Sequence, residues 1–132
     1  PTHRFERDGR SLADGRDARW TALERMANGN QQINYYNASL ATTAGGKLRL
    51  ATSDEPARFP TGGYAADGSP AYAAAPMQTA MLQTWNKFCF TGGILEFRAR
   101  QPRGGGYWPA ISSGQIVGEI AASIVSRKRR SA

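Results

Sequence analysis

The stretch that decides the fold occupies residues 77–100 and reads MQTAMLQTWNKFCFTGGILEFRAR. It holds the densest grouping of large apolar side chains in the chain, so we expect it to anchor the core. In residues 94–100, after Gly92-Gly93, apolar and charged residues alternate strictly. The apolar positions are Leu95, Phe97 and Ala99, and the charged positions are Glu96, Arg98 and Arg100. This alternation predicts a strand of an antiparallel sheet with one buried and one polar face.

Upstream, turn signals separate further candidate strands. Alternation of apolar and polar residues around Ile33 and Tyr35 predicts one half-buried strand. The same pattern at Leu48 and Leu50, after the turn Gly45-Gly46, predicts another. The sequence is therefore typical of an all-β protein in this region.

Two other upstream segments predict different structures. Residues 54–76 contain many proline and glycine residues, which interrupt both helices and strands, so we expect a long loop there. Trp20, Leu23 and Ala27 are spaced as on one helix face after a possible cap at Asp17, which predicts one or two helical turns. A short surface helix or an irregular loop is the alternative for this second segment.

Charge is concentrated at the two ends of the chain. Residues 1–16 alternate charged and small polar side chains, which predicts a flexible, disordered leader. Residues 127–130 carry four of the seven net positive charges, so the remainder has a charge of 7 minus 4, or +3. Aromatic residues lie far from this basic tail in the sequence. A nucleic-acid partner is therefore disfavoured, because such sites interleave basic and aromatic residues.

The chain is short of the side chains that build cores. Its 132 residues include 7 Leu, 6 Ile, 2 Val and 5 Phe, or 20 in all. This count falls below the level of about one fifth at which a charged chain resembles a disordered one. Either much of the chain is loosely structured or part of its core is supplied from elsewhere.

Several kinds of site and anchor are disfavoured by simple counts. The single histidine, His3, and the single cysteine, Cys89, leave no set of metal ligands and no histidine-dependent triad. We therefore expect no metal and no cofactor. No apolar run reaches the about 18 residues that a transmembrane helix needs, so a membrane anchor could come only from a segment upstream of Pro1.

Exposed aromatic side chains beside polar groups are the best candidates for a binding site. Sugars have flat apolar faces and hydroxyl rims, so their sites combine aromatic rings with planar hydrogen-bonding groups. Trp108 follows a glycine run and precedes Pro109, which favours it as a platform. The other candidates for substrate contact are Trp85, Arg98 and Tyr107. In the alternative interpretation these aromatics are core, and we expect Trp85, Phe88 and Phe90 to be largely buried.

One modification motif is present. Asn37-Ala38-Ser39 fits the N-glycosylation consensus, which identifies Asn37 as a candidate acceptor. Such triplets also arise by chance, so the motif only mildly favours a secreted or luminal protein.

The block from Met81 to Gly93, followed by Ile94-Leu95-Glu96 and later by residues 107–110, resembles the first half of glycoside hydrolase family 16. It is most similar to the branch of β-glucan synthesis-associated proteins. Residues 17–22, 34–37 and 45–50 resemble the same family in the same order, so the resemblance covers residues 17–110. It implies three parts: a leader over 1–16, the N-terminal part of a family 16-like domain over 17–110, and a basic, disordered tail outside the family pattern over 111–132.

The resemblance implies a concanavalin A-like antiparallel jelly-roll sandwich whose concave sheet holds a β-glucan chain. In the family, retaining hydrolysis or transglycosylation uses carboxylates from a Glu-x-Asp-x-x-Glu strand. This chain lacks that motif. Glu119 is the nearest candidate for its first position, but Ala121 and Ile124 occupy the Asp and second Glu positions. A lone carboxylate cannot be both nucleophile and proton donor, so the chain is catalytically incomplete.

Three functional hypotheses follow. The first is a β-glucan-active, family 16-like protein of cell-wall or storage-glucan metabolism, of which this chain holds only the early strands. The second is a non-catalytic glycan-binding module, and the third is a basic nucleic-acid binder. By resemblance, we expect the secretory pathway, the membrane or the cell wall as its location. The deficit of core residues fits a partial sandwich, because a jelly roll buries one sheet against the other.

Overall fold

A computed structural model describes residues 12, 15–27, 32–91, 94, 96–116 and 119–125. Apart from one 3-10 turn, Ala38–Leu40, the regular elements of this part of the chain are strands. The strands are β1 (Thr21–Ala22), β2 (Arg25–Met26), β3 (Asn34–Tyr36), β4 (Ala41–Ala44), β5 (Lys47–Leu50), β6 (Thr52–Ser53), β7 (Ala57–Tyr64), β8 (Pro70–Ala75), β9 (Met77–Thr79), β10 (Met81–Gln83), β11 (Ala110–Ile116) and β12 (Glu119–Val125).

These strands form two four-stranded sheets and two hairpins. The first sheet has the order β1-β10-β12-β11 with antiparallel pairing throughout. The second has the order β2-β3-β9-β6, in which β3 and β9 are parallel and the other pairs antiparallel. Strands β4–β5 and β7–β8 form the hairpins. The prediction of an all-β fold is confirmed, and the arrangement is consistent with a jelly-roll-like sandwich.

The consecutive strands β9 and β10 connect the two sheets. Ala80, which lies between them, is fully buried and donates its backbone N–H to the carbonyl oxygen of Ala51 at 3.1 Å. The backbone N–H of Asn37 donates to the carbonyl oxygen of Thr79 at 2.9 Å. Residues 77–84 therefore contribute to both sheets, and the prediction that this stretch anchors the core is confirmed for its first part.

Among the residues whose burial the structure describes, the core is rich in alanine. Its main cluster consists of Leu12, Trp20, Ala41, Ala80 and Leu82. Three half-buried leucines pack at the margin of this cluster. They are Leu40, just before the β4–β5 hairpin, and Leu48 and Leu50 within it. A second cluster joins Ala27 and Tyr36. Alanine buries little apolar area, so within this described core the large side chains Leu12, Trp20, Tyr36 and Leu82 carry most of the hydrophobic stabilisation.

The strands predicted around residues 33–35 and 48–50 are confirmed. At Gly45 and Gly46 the backbone has φ of 55° and 67°, the conformation of a tight hairpin turn that favours glycine. Along β5 the leucines are half-buried and Lys47 and Arg49 are exposed. In β3 the buried side chains are Asn34 and Tyr36. The face turned inward is therefore the one opposite Tyr35.

The helix predicted over residues 17–27 is wrong. Asp17 does cap a turn, because its Oδ1 accepts hydrogen bonds of 2.9 Å from the backbone N–H groups of Arg19 and Trp20. The chain then extends into β1, which pairs with β10, and β2, which pairs with β3. Trp20 and Ala27 are both buried, but in different clusters. The helical spacing arose from two separate packing sites.

The long loop predicted over residues 54–76 is also wrong. This segment folds as the β7–β8 hairpin. The register shifts between Pro60 and Tyr64, and Gly62 there has a φ of 83°, which favours glycine. Gly68, with a φ of 81°, lies in the connecting turn. A two-stranded hairpin tolerates proline and glycine because both strands are edges and bulges absorb irregular residues.

The strand predicted over residues 94–100 is not formed. Residues 96–100 have no strand pairing and are exposed, and Ile94 is 96% exposed. Leu95 lies outside the described residues. Alternation favours a strand only where a neighbour supplies backbone partners, and the described part of the chain supplies none for residues 96–100.

The ends of the chain lie partly outside the described residues. The expected flexible leader falls on residues 1–16, where the side chain of Leu12 is buried in the main cluster. The expected tail falls on residues 111–132, where β11 and β12 pair with each other and β12 pairs with β10. Residues 126–132, including the basic run, lie outside the description. The division of the chain at residues 16 and 110 stays a prediction.

Candidate functional site

The most distinctive segment of the sequence forms a tight turn. We call residues 85–90 the aromatic turn. The carbonyl oxygen of Thr84 accepts hydrogen bonds of 3.0 Å from the backbone N–H groups of both Lys87 and Phe88. Asn86 has a φ of 58°, in the left-handed region that asparagine tolerates better than most residues. The chain therefore reverses at Asn86, immediately after β10.

Lys87 fastens the aromatic turn to the N-terminal part of the chain. Its Nζ donates hydrogen bonds to the carbonyl oxygens of Gly15 and Asp17, both at 2.7 Å, and of Trp20 at 3.0 Å. A lysine ammonium has three donors and no acceptor, so these three bonds use its whole capacity. The lysine of this motif consequently holds residues 15–20 and the aromatic turn together.

The rings of the aromatic turn lie towards solvent. Trp85 is 54% exposed and Phe88 is 43% exposed, so the prediction that both are core residues is wrong. Phe90 is half-buried, and its ring centroid lies 6.3 Å from that of Phe88. The guanidinium of Arg19 lies 5.5 Å from the centroid of the Phe88 ring. The core beneath is already filled by Leu82 and the side chains around it, which leaves these rings on the surface.

Tyr107 and Trp108 precede β11. A side chain at Gly104, where φ is 126°, would contact the Tyr107 ring at 3.4 Å. Tyr107 is half-buried, whereas Trp108 is 38% exposed. Glycine is favoured at position 104 by this φ and not by lack of space, because a Cβ there would make only an ordinary contact with the tyrosine ring.

The structure does not bring Trp85 and Trp108 together. Strands β10 and β11 both pair antiparallel with β12, so they run in the same direction. Trp85 follows the end of β10 and Trp108 precedes the start of β11. The two tryptophans therefore leave the first sheet at opposite ends. Arg98 is exposed in the irregular segment between them.

Glu119, the one candidate catalytic residue, lies on a strand that carries no second acid. Glu119 begins β12, where it pairs with Ile116, and Ala121 and Ile124 follow on the same strand. The described residues contain no group of three or more potential metal ligands.

Asn37 makes two sets of hydrogen bonds at the start of the 3-10 turn. Its Oδ1 accepts from the backbone N–H of Ser39 at 2.9 Å and from the Ser39 hydroxyl at 2.6 Å. Its Nδ2 donates to Oε1 of Gln78 at 2.6 Å. The candidate glycosylation site therefore also links the turn to β9.

A second group of exposed rings was not predicted from the sequence. Tyr64 and Tyr72 lie on the β7–β8 hairpin, and the guanidinium of Arg58 lies 4.4 Å from the centroid of the Tyr72 ring. These residues lie in residues 54–76, where the many prolines and glycines predicted a loop. The alternation Ala71, Tyr72, Ala73 was the only local signal for the strand that carries them.

Comparison with known proteins gives a consistent result. A sequence model of the family described as "Beta-glucan synthesis-associated protein SKN1/KRE6/Sbg1" matches residues 2–120. The chain belongs to this family. The resemblance to the β-glucan synthesis-associated branch is thereby confirmed, and the match includes the aromatic turn and residues 107–110.

Individual relatives of the SKN1/KRE6/Sbg1 family agree with this assignment. The chain is 34% identical over 110 residues to the beta-glucan synthesis-associated protein KRE6 of Saccharomyces cerevisiae, covering 81% of this chain and 13% of the relative. It is 30% identical over 112 residues to SKN1 of Candida albicans, covering 83% of this chain and 13% of the relative. The chain thus spans only a small fraction of these relatives' length.

A shorter match links the family to a protein with a named ligand. Over 44 residues the chain is 46% identical to a beta-1,3-glucan-binding protein of Penaeus monodon, covering 33% of this chain and 12% of the relative. No solved structure matches the chain significantly. Among the described residues, no helix has the length and apolar character needed to cross a membrane.

Proposed function

We propose that this chain forms early strands of a family 16-like β-glucan-active protein that acts in cell-wall glucan synthesis or remodelling. Within that protein, its role is to bind the glucan chain through the aromatic turn. Family membership and the name of the glucan-binding relative support the ligand class. The observation that carries the proposal is the exposed indole of Trp85 on a turn that Lys87 fixes to the protein.

The chemistry of the aromatic turn suits a carbohydrate. The exposed indole of Trp85 offers an apolar face to the C–H face of a sugar, and Phe88 is a second exposed ring on the same turn. Arg19, beside Phe88, supplies a planar donor group to hydroxyl rims. Because the turn is already held by hydrogen bonds, binding costs little additional ordering of the backbone.

Hydrolysis or transglycosylation is not assigned to these residues alone. Retaining chemistry needs two carboxylates about 5 Å apart, one as nucleophile and one as acid/base. The sequence contains no Glu-x-Asp-x-x-Glu segment, and the strand that starts with Glu119 has no second acid. In this proposal the role assigned to the chain is glucan binding, and no catalytic role is assigned to its own carboxylates.

Location follows from the same proposal. A protein that binds wall glucan is expected in the secretory pathway, at the membrane or in the cell wall. The Asn37-Ala38-Ser39 motif agrees with this location, and glycosylation at Asn37 stays a prediction. Expression through a secretory pathway tests it, because a glycosidase-sensitive mass should disappear in the Ser39→Ala variant.

Binding of the whole chain to soluble β-glucan tests the proposed function. Isothermal titration with laminarin, a β-1,3-glucan, is expected to show saturable binding. Trp85→Ala should weaken it about tenfold, because it removes the stacking surface. Phe97→Ala, which truncates an exposed ring in the irregular segment, is the matched control and should bind as wild type. Trp108→Ala tests whether the opposite end of the sheet also contributes.

Two results would contradict the proposal. If the folded wild-type chain binds neither laminarin nor a β-1,6-glucan, its role as a glucan-binding element is wrong. If Trp85→Ala and wild type bind equally well while Trp108→Ala loses affinity, the ligand class stands but the aromatic turn is not the site.

A further inference from the structure

The β7–β8 hairpin has two chemically different faces. Cross-strand partners share a face of a sheet, and successive residues alternate between faces. The inner face carries Ala57, Phe59, Ala71, Ala73 and Ala75, all of them buried or half-buried. We call the opposite, exposed surface the hairpin face, and it carries Arg58, Pro60, Tyr64, Pro70, Tyr72 and Ala74.

An irregularity in β7 places both tyrosines on the hairpin face. Pro60 pairs with Tyr72 and Tyr64 pairs with Pro70, so the three residues 61–63 oppose a single residue of β8. Tyr64 pairs with Pro70, and Pro70 is two residues from Tyr72 along β8, so Tyr64 and Tyr72 lie on the same face.

Side-chain hydrogen bonds stabilise this irregularity. The Thr61 hydroxyl donates to the carbonyl oxygen of Ala71 at 3.2 Å and accepts from the backbone N–H of Gly63 at 3.3 Å. Gly62, with a φ of 83°, supplies the conformation that other residues rarely adopt. The position of Tyr64 is therefore built into the strand.

The base of the hairpin is attached to the second sheet. The ring of Phe59, on the inner face, stacks on that of Tyr35 in β3 with centroids 4.9 Å apart. Ala57 and Ala75 are buried. These contacts turn the hairpin face towards solvent, where Tyr64 is 78% and Tyr72 is 50% exposed.

The hairpin face is almost uncharged. Arg58 is its one charged side chain, and the guanidinium lies over the Tyr72 ring at 4.4 Å from the centroid. The other charged residue of the hairpin, Asp67, accepts hydrogen bonds from Ser69 in the connecting turn. A groove of about 480 Å³ is lined by Arg58, Tyr72 and their neighbours on β8. Two exposed rings beside a single arginine suit a neutral ligand with flat apolar faces.

We propose that the hairpin face is a second carbohydrate-binding surface, which binds a neutral β-linked glucan by stacking of Tyr64 and Tyr72 on separate sugar units. The phenol hydroxyls and the Arg58 guanidinium donate hydrogen bonds to the sugar hydroxyls. The ligand class rests on the proposed function. The surface is separate from the aromatic turn, because the hairpin leads into the start of β9 and the aromatic turn follows the end of β10.

Titration of the whole chain with a short β-1,3-gluco-oligosaccharide tests this proposal. Wild type is expected to bind two molecules per chain. The double variant Tyr64→Ala/Tyr72→Ala should lose one of the two sites, with affinity there falling by about tenfold or more. Trp85→Ala should lose the other. Phe97→Ala serves as the control for removal of an exposed ring, and thermal unfolding of each variant checks that the fold is kept.

The outcomes separate this proposal from the proposed function. If the double variant titrates as wild type while Trp85→Ala loses binding, the hairpin face is not a glucan site and the proposed function stands. If only the double variant loses binding, the hairpin face is the site and the aromatic turn is not. Absence of binding by wild type overturns both. A dimer of the chain that dissociates on the double substitution would assign the hairpin face to self-association and overturn the proposal.

Discussion

The ammonium group of Lys87 lies 2.7 Å from the carbonyl oxygen of Asp17, across a separation of 70 residues in the sequence. The same ammonium binds the carbonyl oxygens of Gly15 and Trp20. Trp20 is buried in the main core cluster and Arg19 lies over Phe88. One side chain therefore couples residues 15–20, the main core cluster and the aromatic turn.

Replacing this ammonium should destabilise the fold. Lys87→Met keeps most of the aliphatic chain but removes three donors, leaving three carbonyl oxygens without the partner seen here. We expect the free energy of unfolding to fall by about 2–3 kcal/mol. A single hydrogen bond to a charged group contributes about 1.5–3 kcal/mol, and the three bonds here are not additive because one ammonium group makes them all. Urea denaturation measures the change.

A surface lysine provides the control for that experiment. Lys47 is exposed on β5, and Lys47→Met should change the free energy of unfolding by no more than about 0.5 kcal/mol. If Lys87→Met and Lys47→Met have equal stability, Lys87 does not hold the N-terminal segment as described.

Stability should be sensitive to truncation of Leu82. Leu82 is fully buried between Leu12, Trp20 and two alanines, so Leu82→Ala should cost about 3 kcal/mol through lost burial and the cavity left behind. Ile94, which is 96% exposed, is the matched control, and Ile94→Ala should cost less than about 0.5 kcal/mol. Denaturant unfolding compares them, and Leu82→Val provides a milder change if the alanine variant does not fold. Equal costs at the two positions would contradict the core assignment.

The class of the fold was predictable from local patterns because several strands carry their own signals. The β4–β5 hairpin has a glycine pair at its turn and alternating leucines in its second strand, and both features are local. The buried run over residues 77–84 was predictable from its apolar density. Such elements need no knowledge of distant partners.

Other elements depend on contacts that local patterns do not contain. Strand β1 forms because Thr21 pairs with Gln83, and no window around Trp20 contains that partner. The alternating residues 96–100 have the pattern of a strand but no ladder partner among the described residues. In β7 the breakers are accommodated at a bulge fixed by Thr61, so the same prolines and glycines that predict a loop are compatible with a hairpin.

The candidate site was likewise predictable from the sequence only in part. The aromatic content of the turn was visible in the sequence, but the direction of its rings was not. Thr84 and Leu82 fill the interior, and Lys87 binds backbone carbonyls, which leaves Trp85 outside. The hairpin face was missed because Tyr64 and Tyr72 share a face only through the register of the bulge.

Tyr35 of β3, whose ring stacks on Phe59 of the hairpin, should make the free energy of unfolding depend on pH above about pH 10. Burial raises the pKa of Tyr35 above its usual value of 10.0, and the nearby charge and hydrogen bond of Glu24 raise it further. The folded state therefore favours the neutral phenol. This contribution is complete below the unfolded pKa near 10.0 and is lost as the pH rises through the higher folded value.

Tyr35→Phe removes that titration while keeping the ring that stacks on Phe59. We expect the free energy of unfolding of wild type to fall more steeply above pH 10 than that of Tyr35→Phe. Tyr64→Phe, which alters an exposed tyrosine, controls for general alkaline effects. Parallel pH profiles for wild type and Tyr35→Phe would show that the Tyr35 pKa is not raised by folding.

The capping role of Asn37 is testable separately from its glycosylation. Asn37→Ala removes the acceptor for the Ser39 N–H and hydroxyl and the donor to Gln78, so we expect a loss of about 1–2 kcal/mol in the free energy of unfolding. Asn37→Asp keeps the acceptor oxygen but not the N–H donor, and its stability should be intermediate. Ser39→Ala is the matched control, because it abolishes the glycosylation consensus and one hydrogen bond but keeps the bond to Gln78. With unglycosylated protein in urea, a Ser39→Ala variant as unstable as Asn37→Ala would show that the link to β9 contributes nothing.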